Sequence, residues 1–432
     1  MSTNHNYFRS KDVTLVILKN RLIFIYQYFY PEVAASAHLL TDLAVGLCAK
    51  GYIVNVITAQ PTYTSRQSLP PQESFNGVKI ERVHTLGMGR KTLVNRISGA
   101  LFFFGAALLK LSFCPSGTTL VFIANPPMMP LIGWFFYQIR KQPYYILVHD
   151  IYPDIAVGLN RIKKRSAADK LLTWCNRLSF RYARKVVTLT EKMAECLNQK
   201  YALDNILVIS NWADGDKINP RHKRLNPFRA KHGYLEKFVA LFSGNLGMIY
   251  NFDEIFEAAD RLDRGKNSNA EFLFIGNGPR LKSFQDQVAA RQMSNIKFLP
   301  YQSEEDLPYS LTCGDIAVIP LRREVADLCM PEKTYCALAA GIPLLTIAPR
   351  GSALAELVRI HDCGWNIEPG DSNSLTELIS TLAQNPSMLE KRAQNARACY
   401  ERYFTRERAI DQYDALFRET INSSSRDGAA SL

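Results

Sequence analysis

The nine cysteines of this 432-residue chain include no Cys-x-x-Cys pair, no apolar run reaches transmembrane length, and no Gly-x-Gly-x-x-Gly follows the first strand-like segment. Each absence excludes something. An odd number of scattered cysteines argues against a disulfide framework or a zinc site and fits a reducing cytosol. The missing glycine fingerprint argues against a dinucleotide-dependent dehydrogenase. No secretory signal is evident: residues 1–20 are polar apart from "VTLVILKN", too short for a signal core. Acids are scarce in the first half. Residues 1–215 carry 25 Lys+Arg against 12 Asp+Glu, a balance of +13, whereas residues 216–432 carry 27 against 28. A basic half suits an anionic membrane or an anionic substrate. No DNA- or RNA-binding motif accompanies it, so nucleic acid is not an expected partner.

The longest apolar run is "ISGALFFFGAALL" at 97–109. As a helix it spans about 20 Å at 1.5 Å per residue, too short to cross a bilayer. Two readings stand: a helix buried on all sides, or a helix dipping into one leaflet with Arg96 and Lys110 as basic anchors.

What is present is a regular alternation. "RLIFIYQ", "YIVNVIT", "VKIERVH", "TLVFIA", "YYILVHD" and "KVVTLT" are strand candidates, separated mostly by helical patterns. A second series follows: "FVALFSG", "AEFLFIGNG", "NIKFLP", "DIAVIP" and "IPLLTIAP". This is an α/β pattern with mostly parallel sheets, written twice. The expected organisation is an N-terminal extension at 1–20, a Rossmann-like domain at 21–212 and a polar linker at 213–236. A second Rossmann-like domain at 237–392, C-terminal helices at 393–420 and a disordered tail at 421–432 complete it. Ligands of such sheets bind outside the carboxyl ends of the strands. The informative loops are therefore "QYFYPEVAAS", "ANPPMM", "HDIYPDIAVG", "SGNLG", "IGNGPR" and "PLRREVADLCMPEK".

In this order, "YQYFYPEVAASAHLLTDLA", "VHDIYPD", "ISNWAD", "FSGNLG", "FIGNGP" and "PEKTYCALAAGIPLL" resemble the family 4 glycosyltransferases, most closely the exopolysaccharide and colanic-acid subgroup. The resemblance covers about residues 21–415. It implies a GT-B fold: two tandem Rossmann-like domains with a cleft between them and a C-terminal helix packing back on the first. It implies a retaining hexosyltransferase of the EC 2.4 class, taking sugar from a nucleotide-diphosphate donor on the second domain to an acceptor on the first. It implies no cofactor and no metal, in keeping with the lack of a DxD cluster beside a strand end. The expected acceptor is a glycan or lipid-linked sugar, and the expected location is cytoplasmic, peripheral on the inner membrane face.

Loop by loop, the donor-side candidates are Gly244, Asn245, Gly247, Gly276 and Gly278, whose small or turn-forming residues let backbone N–H groups approach a phosphate. The same loops also read as plain strand-to-helix turns. Family members commonly carry an Arg and a Lys after the first glycine loop, but "GMIYNFDEIF" supplies neither. Lys333 is the expected replacement, a cation placed against a helix dipole and so explained by an anionic ligand. Arg280 reads as a surface arginine. Tyr301 and Leu307 stand where the family holds the base. On the first domain, Ala34, Ala35 and Ser36 replace the usual glycine pair. His149 is a candidate to bind the sugar and Asp150 to orient or deprotonate the acceptor hydroxyl. Asp154 reads as a helix cap.

The family's two glutamates eight apart fall here on Leu328 and Cys336, while Glu324 and Glu332 repeat the spacing four residues earlier. Four residues are about one helical turn, which puts Glu332 on the face of Cys336. Glu332 also reads as a first-turn acid, and Glu324 as a sugar contact. Two other classes stay open: a nucleotide-sugar epimerase on the same fold, and a non-catalytic nucleotide-sugar-binding assembly protein.

Overall fold

A computed structural model describes residues 20–32, 34–61, 69–84, 93–265 and 269–429. The expected extension lies outside these residues except for Asn20. The first strand series is β1 (Arg21–Ile25), β2 (Ile53–Ala59), β3 (Gln72–Phe75), β4 (Val78–Val83), β5 (Thr119–Ile123), β6 (Tyr144–Val148), β7 (Val186–Thr188) and β8 (Ile206–Val208). Between them run α1 (Ala35–Ala49), α2 (Leu93–Ser112), α3 (Pro130–Arg140), α4 (Asp154–Gly158), α5 (Ala167–Tyr182) and α6 (Glu191–Tyr201). The second series is β9 (Phe238–Ser243), β10 (Ala270–Ile275), β11 (Ile296–Leu299), β12 (Ile316–Pro320), β13 (Leu344–Ile347) and β14 (Gly364–Ile367). Its helices are α7 (Pro227–His232), α8 (Asp253–Gly265), α9 (Leu281–Arg291), α10 (Leu307–Leu311), α11 (Lys333–Ala339), α12 (Ala353–His361), α13 (Ser372–Gln384) and α14 (Ser387–Tyr403). The last helix is α15 (Arg406–Ala429).

Two compact units result. One holds the described residues up to Val157, then Ile162–Ser210 and Glu407 onward; the other holds Gly158–Arg161 and Asn211–Arg406. The first sheet runs β3-β4-β2-β1-β5-β6-β7-β8, parallel except for the β3–β4 pair. The second runs β11-β10-β9-β12-β13-β14. Strands such as β5, β6 and β10 are buried along their whole length, as a parallel sheet covered on both faces requires. Among the parallel strands the order reverses between β1 and β5 in the first sheet and between β9 and β12 in the second. That reversal is where open α/β sheets bind ligands.

The C-terminal helix belongs to the first unit, as the resemblance implies. Asp411 on α15 pairs with Lys50 at 2.5 Å, Asp414 accepts from the Tyr52 hydroxyl at 2.9 Å, and the Phe417 ring meets Tyr145 at 5.0 Å. Gly46 makes room for Ile410: a Cβ there would lie 2.3 Å from its side chain.

Three sequence expectations change. The polar segment 213–236 folds as part of the second unit. It contains α7, whose Arg229 is 1% exposed and donates to the carbonyls of Cys313, Tyr234 and Lys237 and to Asp315. Asp315 is also buried, and it accepts from the Val239 amide and pairs with Lys223. The tail expected to be disordered from 421 continues α15 to Ala429, since extending a formed helix needs no new nucleus. The helix at 97–109 is not buried on all sides. Phe103, Ala107 and Leu111 of α2 are buried, while Leu101 and Leu109 are exposed.

Candidate active site

In the second unit the reversal point is built from two interlocked glycine turns. Gly244, directly after β9, has φ +131°, and Gly276, directly after β10, has φ +141°. A Cβ on Gly276 would lie 2.1 Å from the Gly244 carbonyl oxygen, and one on Gly278 2.6 Å from that of Leu246. Glycine is thus required by both backbone shape and space. The Gly244 amide donates to Ile275 O and the Leu246 amide to Asn277 O, each at 2.8 Å, so the turns are pinned together. Asn245 is exposed at the tip and Gly247 is buried beneath it.

Lys333 opens α11 and reaches back to these turns. Its Nζ stands 3.7 Å from the Phe242 ring centroid and 4.1 Å from that of Tyr250. A Cβ on Gly244 would be 3.2 Å from it. Desolvation holds the Lys333 pKa well below its usual 10.5, opposed by the nearby Cys336 and Glu332. The two rings oppose it as well, because aromatic faces attract a cation. With only seven residues in α11, the dipole expectation for Lys333 gives way to a plainer one. The amine is held in a desolvated aromatic corner against a glycine backbone.

Glu332 precedes α11 and is half-buried. Cys336 lies one turn on, its amide reaching the Glu332 carbonyl at 3.4 Å, and its thiol is pushed up by burial and by Glu332. Both act on the charge of Lys333. Glu324 is elsewhere, exposed on the single turn Arg323–Val325, with its backbone carbonyl packed against Gly158. Tyr301 and Leu307 are both exposed beyond the edge strand β11, two strands from the reversal point.

The first unit carries its own set. Ala34 precedes α1, and its carbonyl accepts from the Ala37 amide at 2.8 Å. The Ser36 hydroxyl is engaged with that of Tyr26 at 2.6 Å. Ala35 begins α1. His149 and Asp150 follow β6, next to β5 in the sheet, and both are half-buried. Burial lowers the His149 pKa to about 4 and raises that of Asp150 to about 6. A neutral imidazole can hydrogen-bond a sugar hydroxyl, and a carboxylate near pH 6 can exchange a proton. Asp154 is committed elsewhere, taking two bonds from Lys200 Nζ at 2.9 and 2.7 Å.

Sequence reasoning passed over two cations at the second unit's reversal point. Arg280 is half-buried, donates to the Tyr250 carbonyl at 2.8 Å and lies over the Phe284 ring at 4.6 Å. Arg322 follows Leu321, which bridges Tyr250. The available signal was position: both sit just past the carboxyl ends of strands.

Two Rossmann-like α/β units in tandem define the GT-B architecture. Residues 226–399 match the family described as "Glycosyl transferases group 1", and residues 36–212 match "Glycosyl transferase 4-like domain". The chain belongs to this glycosyltransferase family and is a transferase. It is 27% identical over 242 residues to "Probable glycosyltransferase WbjE" of Pseudomonas aeruginosa, a match spanning 56% of this chain and 60% of that one. To WcaI of Escherichia coli (strain K12), assigned by its name to colanic acid biosynthesis, it is 23% identical over 414 residues, 90% of this chain and 98% of the relative. Among solved structures, sucrose-phosphate synthase from Thermosynechococcus elongatus superposes with a TM-score of 0.73 at 14% identity, covering 93% of this chain and 99% of that one. Anabaena Alr3699/HepE in complex with UDP-glucose gives 0.68 at 15% identity, with the same coverage. These two likenesses speak for the fold.

Proposed function

We propose that the protein is a retaining glycosyltransferase of cell-surface polysaccharide synthesis, moving a sugar from a nucleotide-diphosphate donor to a lipid-linked acceptor. The observation that carries this is Lys333 Nζ in its aromatic corner against Gly244, where a donor diphosphate would meet the ammonium beside the glycine turn. A cation there stabilises charge on the departing diphosphate as the sugar–phosphate bond breaks. On this reading the reaction needs no metal and no cofactor. Asp150 and His149 serve the acceptor hydroxyl and the transferred sugar. The relative named for colanic acid biosynthesis supports the polysaccharide setting.

The lipid-linked acceptor draws support from one face of the first unit. Helices α2, α3 and α5 are neighbours: Arg140 donates to the Leu111 carbonyl at 2.6 Å, and the Tyr137 and Tyr182 rings are 5.7 Å apart. They expose Leu101, Leu109 (62%), Ile139, Leu171 and Trp174 (56%), with Phe113 (82%) just after α2. The helices carry Lys110 on α2, which pairs with Glu81, Arg140 on α3, and three basic residues on α5 beside one acid, Asp169. Apolar side chains among cations suit a peripheral seat on an anionic leaflet. Among the described residues no helix is long and apolar enough to cross a membrane.

A thermal-shift screen against nucleoside diphosphates and their sugars tests the donor assignment, since a ligand bound to the folded state raises the melting temperature. One base and its sugar should stand out. A flat response across the panel would remove the donor site.

A further inference from the structure

The second unit lacks the Arg and Lys that the family places after its first glycine loop, yet its reversal point is not short of cations. Two of them meet at one residue, Tyr250, and the backbone of a third is anchored beside it. Lys333 Nζ stands 4.1 Å from its ring centroid. Arg280 donates to its carbonyl at 2.8 Å. Arg322 comes next to Leu321, the residue that bridges Tyr250, and its own amide donates to the Ile249 carbonyl at 2.9 Å. The three arrive from different strands. Arg280 follows β10, Arg322 follows β12, and Lys333 lies over Gly244 at the end of β9; these strands are adjacent in the order β10-β9-β12. The cations therefore stand around the carboxyl ends of the strands that flank the reversal point.

Their surroundings do not explain them. Arg322 is half-buried, and among the described residues its guanidinium makes no hydrogen bond or ion pair; its Nε is fully enclosed and unpartnered. Arg280 spends one nitrogen on the Tyr250 carbonyl and, among the described residues, has no ion pair. Desolvation depresses the Arg280 pKa, the charge of Arg322 adds to this, and the exposed Asp253 on α8 offsets part of it. Glu254, the next acid on α8, is turned away: its carboxylate accepts from Asn251 and from the Gly370 amide. Holding like charges together in a half-dry place is unfavourable unless an anion joins them. Arginine's planar fork matches phosphate oxygens in pairs, which lysine cannot do.

We propose that Arg280 and Arg322, together with Lys333, neutralise the donor diphosphate in this protein, doing from β10 and β12 what the loop after Gly247 cannot do. This rests on the transferase reading above. Lys333 holds the oxygen nearest the departing sugar, and the arginine pair takes the phosphate oxygens away from it. Charge is thereby supplied from both flanks of the glycine turns.

The test is calorimetric titration of the full-length protein with UDP, GDP and ADP to find the base, then with the matching monophosphate and nucleoside. Arg322→Gln, Arg280→Gln and the double variant are compared with the wild type. Charge-assisted bonds of this kind imply about a tenfold loss of diphosphate affinity for each single change and about a hundredfold for the double. Nucleoside affinity should stay unchanged, and the salt dependence of diphosphate binding should flatten in step. Among the described residues the Arg322 guanidinium has no hydrogen bond to lose, so Arg322→Gln decides the matter if the Arg280 variants melt early. Diphosphate binding at wild-type strength in a folded Arg322→Gln protein overturns the pair's role and leaves the transferase reading standing. A wild type that binds none of the three diphosphates overturns both.

Discussion

Replacing Lys333 with methionine should separate activity from stability. The side chain stays long, unbranched and apolar enough to pack beside Phe242 and Tyr250 while losing the charge. A unit charge about 4 Å from a developing oxyanion contributes about 4 kcal/mol at an effective dielectric of about 20. Loss of one preorganised donor of this kind lowers kcat by about 10²- to 10³-fold. Stability should move the other way. The amine's pKa in the fold lies below its usual 10.5 because it is desolvated. A lysine depressed in this way burdens the fold most when both states are protonated, and the burden fades as pH rises toward 10.5. Against this stand two ring contacts, each contributing about 0.5–2 kcal/mol. The variant should therefore melt at or above the wild-type temperature at pH 7, and the gain should shrink near pH 10. The assay is nucleoside diphosphate release from the donor found by screening, with a melting curve on the same sample. Activity within tenfold of wild type in a folded Lys333→Met protein would refute the leaving-group role. A large drop in melting temperature would refute the account of its environment.

Asp150→Asn should abolish transfer and remove an inflection near pH 6 from the kcat/KM profile, because the base works only when deprotonated. Its pKa is raised from 3.8 to about 6 in the fold, so its contribution to stability is lost as pH rises through that window. The Asn variant should accordingly melt higher than wild type at pH 7; an unchanged profile and melting point would contradict the assignment. Arg229→Met leaves Asp315 buried with one partner fewer and should lower unfolding stability by about 3–5 kcal/mol, read as a shift in the denaturant midpoint. Gly276→Ala forces a side chain to within 2.1 Å of the Gly244 carbonyl at φ +141°; donor affinity should fall even where the fold survives. Leu109→Asp with Trp174→Asp should cut co-flotation with anionic lipid vesicles and leave donor hydrolysis in solution intact. Equal flotation of variant and wild type would remove the membrane face.

The alternation of buried strands and helices was plain because parallel strands are apolar along their length, so both sheets could be read. The glycine turns were equally plain, since a glycine just past a strand has few other uses. Three strands were missed. β3 pairs with β4 across Asn76-Gly77, both at positive φ, a hairpin signal obscured because β3 reads "QESF" and buries little. The short β8 and β14 carry half-buried residues and so show no apolar run. Residues 213–236 look like a linker because their polarity is genuine, but Arg229 satisfies buried carbonyls through long-range bonds that composition does not reveal. The site followed the same pattern. Lys333 was expected from the resemblance and its place at a helix start, whereas Arg280 and Arg322 come to neighbouring strand ends only once β9, β10 and β12 are laid side by side. The displaced Glu332 was correctly placed one turn from Cys336 because helical spacing is local, while the exposure of Glu324 depends on a turn that local spacing does not predict.

The most direct test supplies the wild-type protein with the nucleotide-diphosphate sugar selected by screening, labelled at the anomeric carbon, and a lipid-linked acceptor, and follows the anomeric signal by NMR. The account predicts release of the nucleoside diphosphate and a new glycosidic bond of unchanged anomeric configuration. Donor that stays intact, sugar that epimerises without an acceptor, or a product of inverted configuration would contradict it.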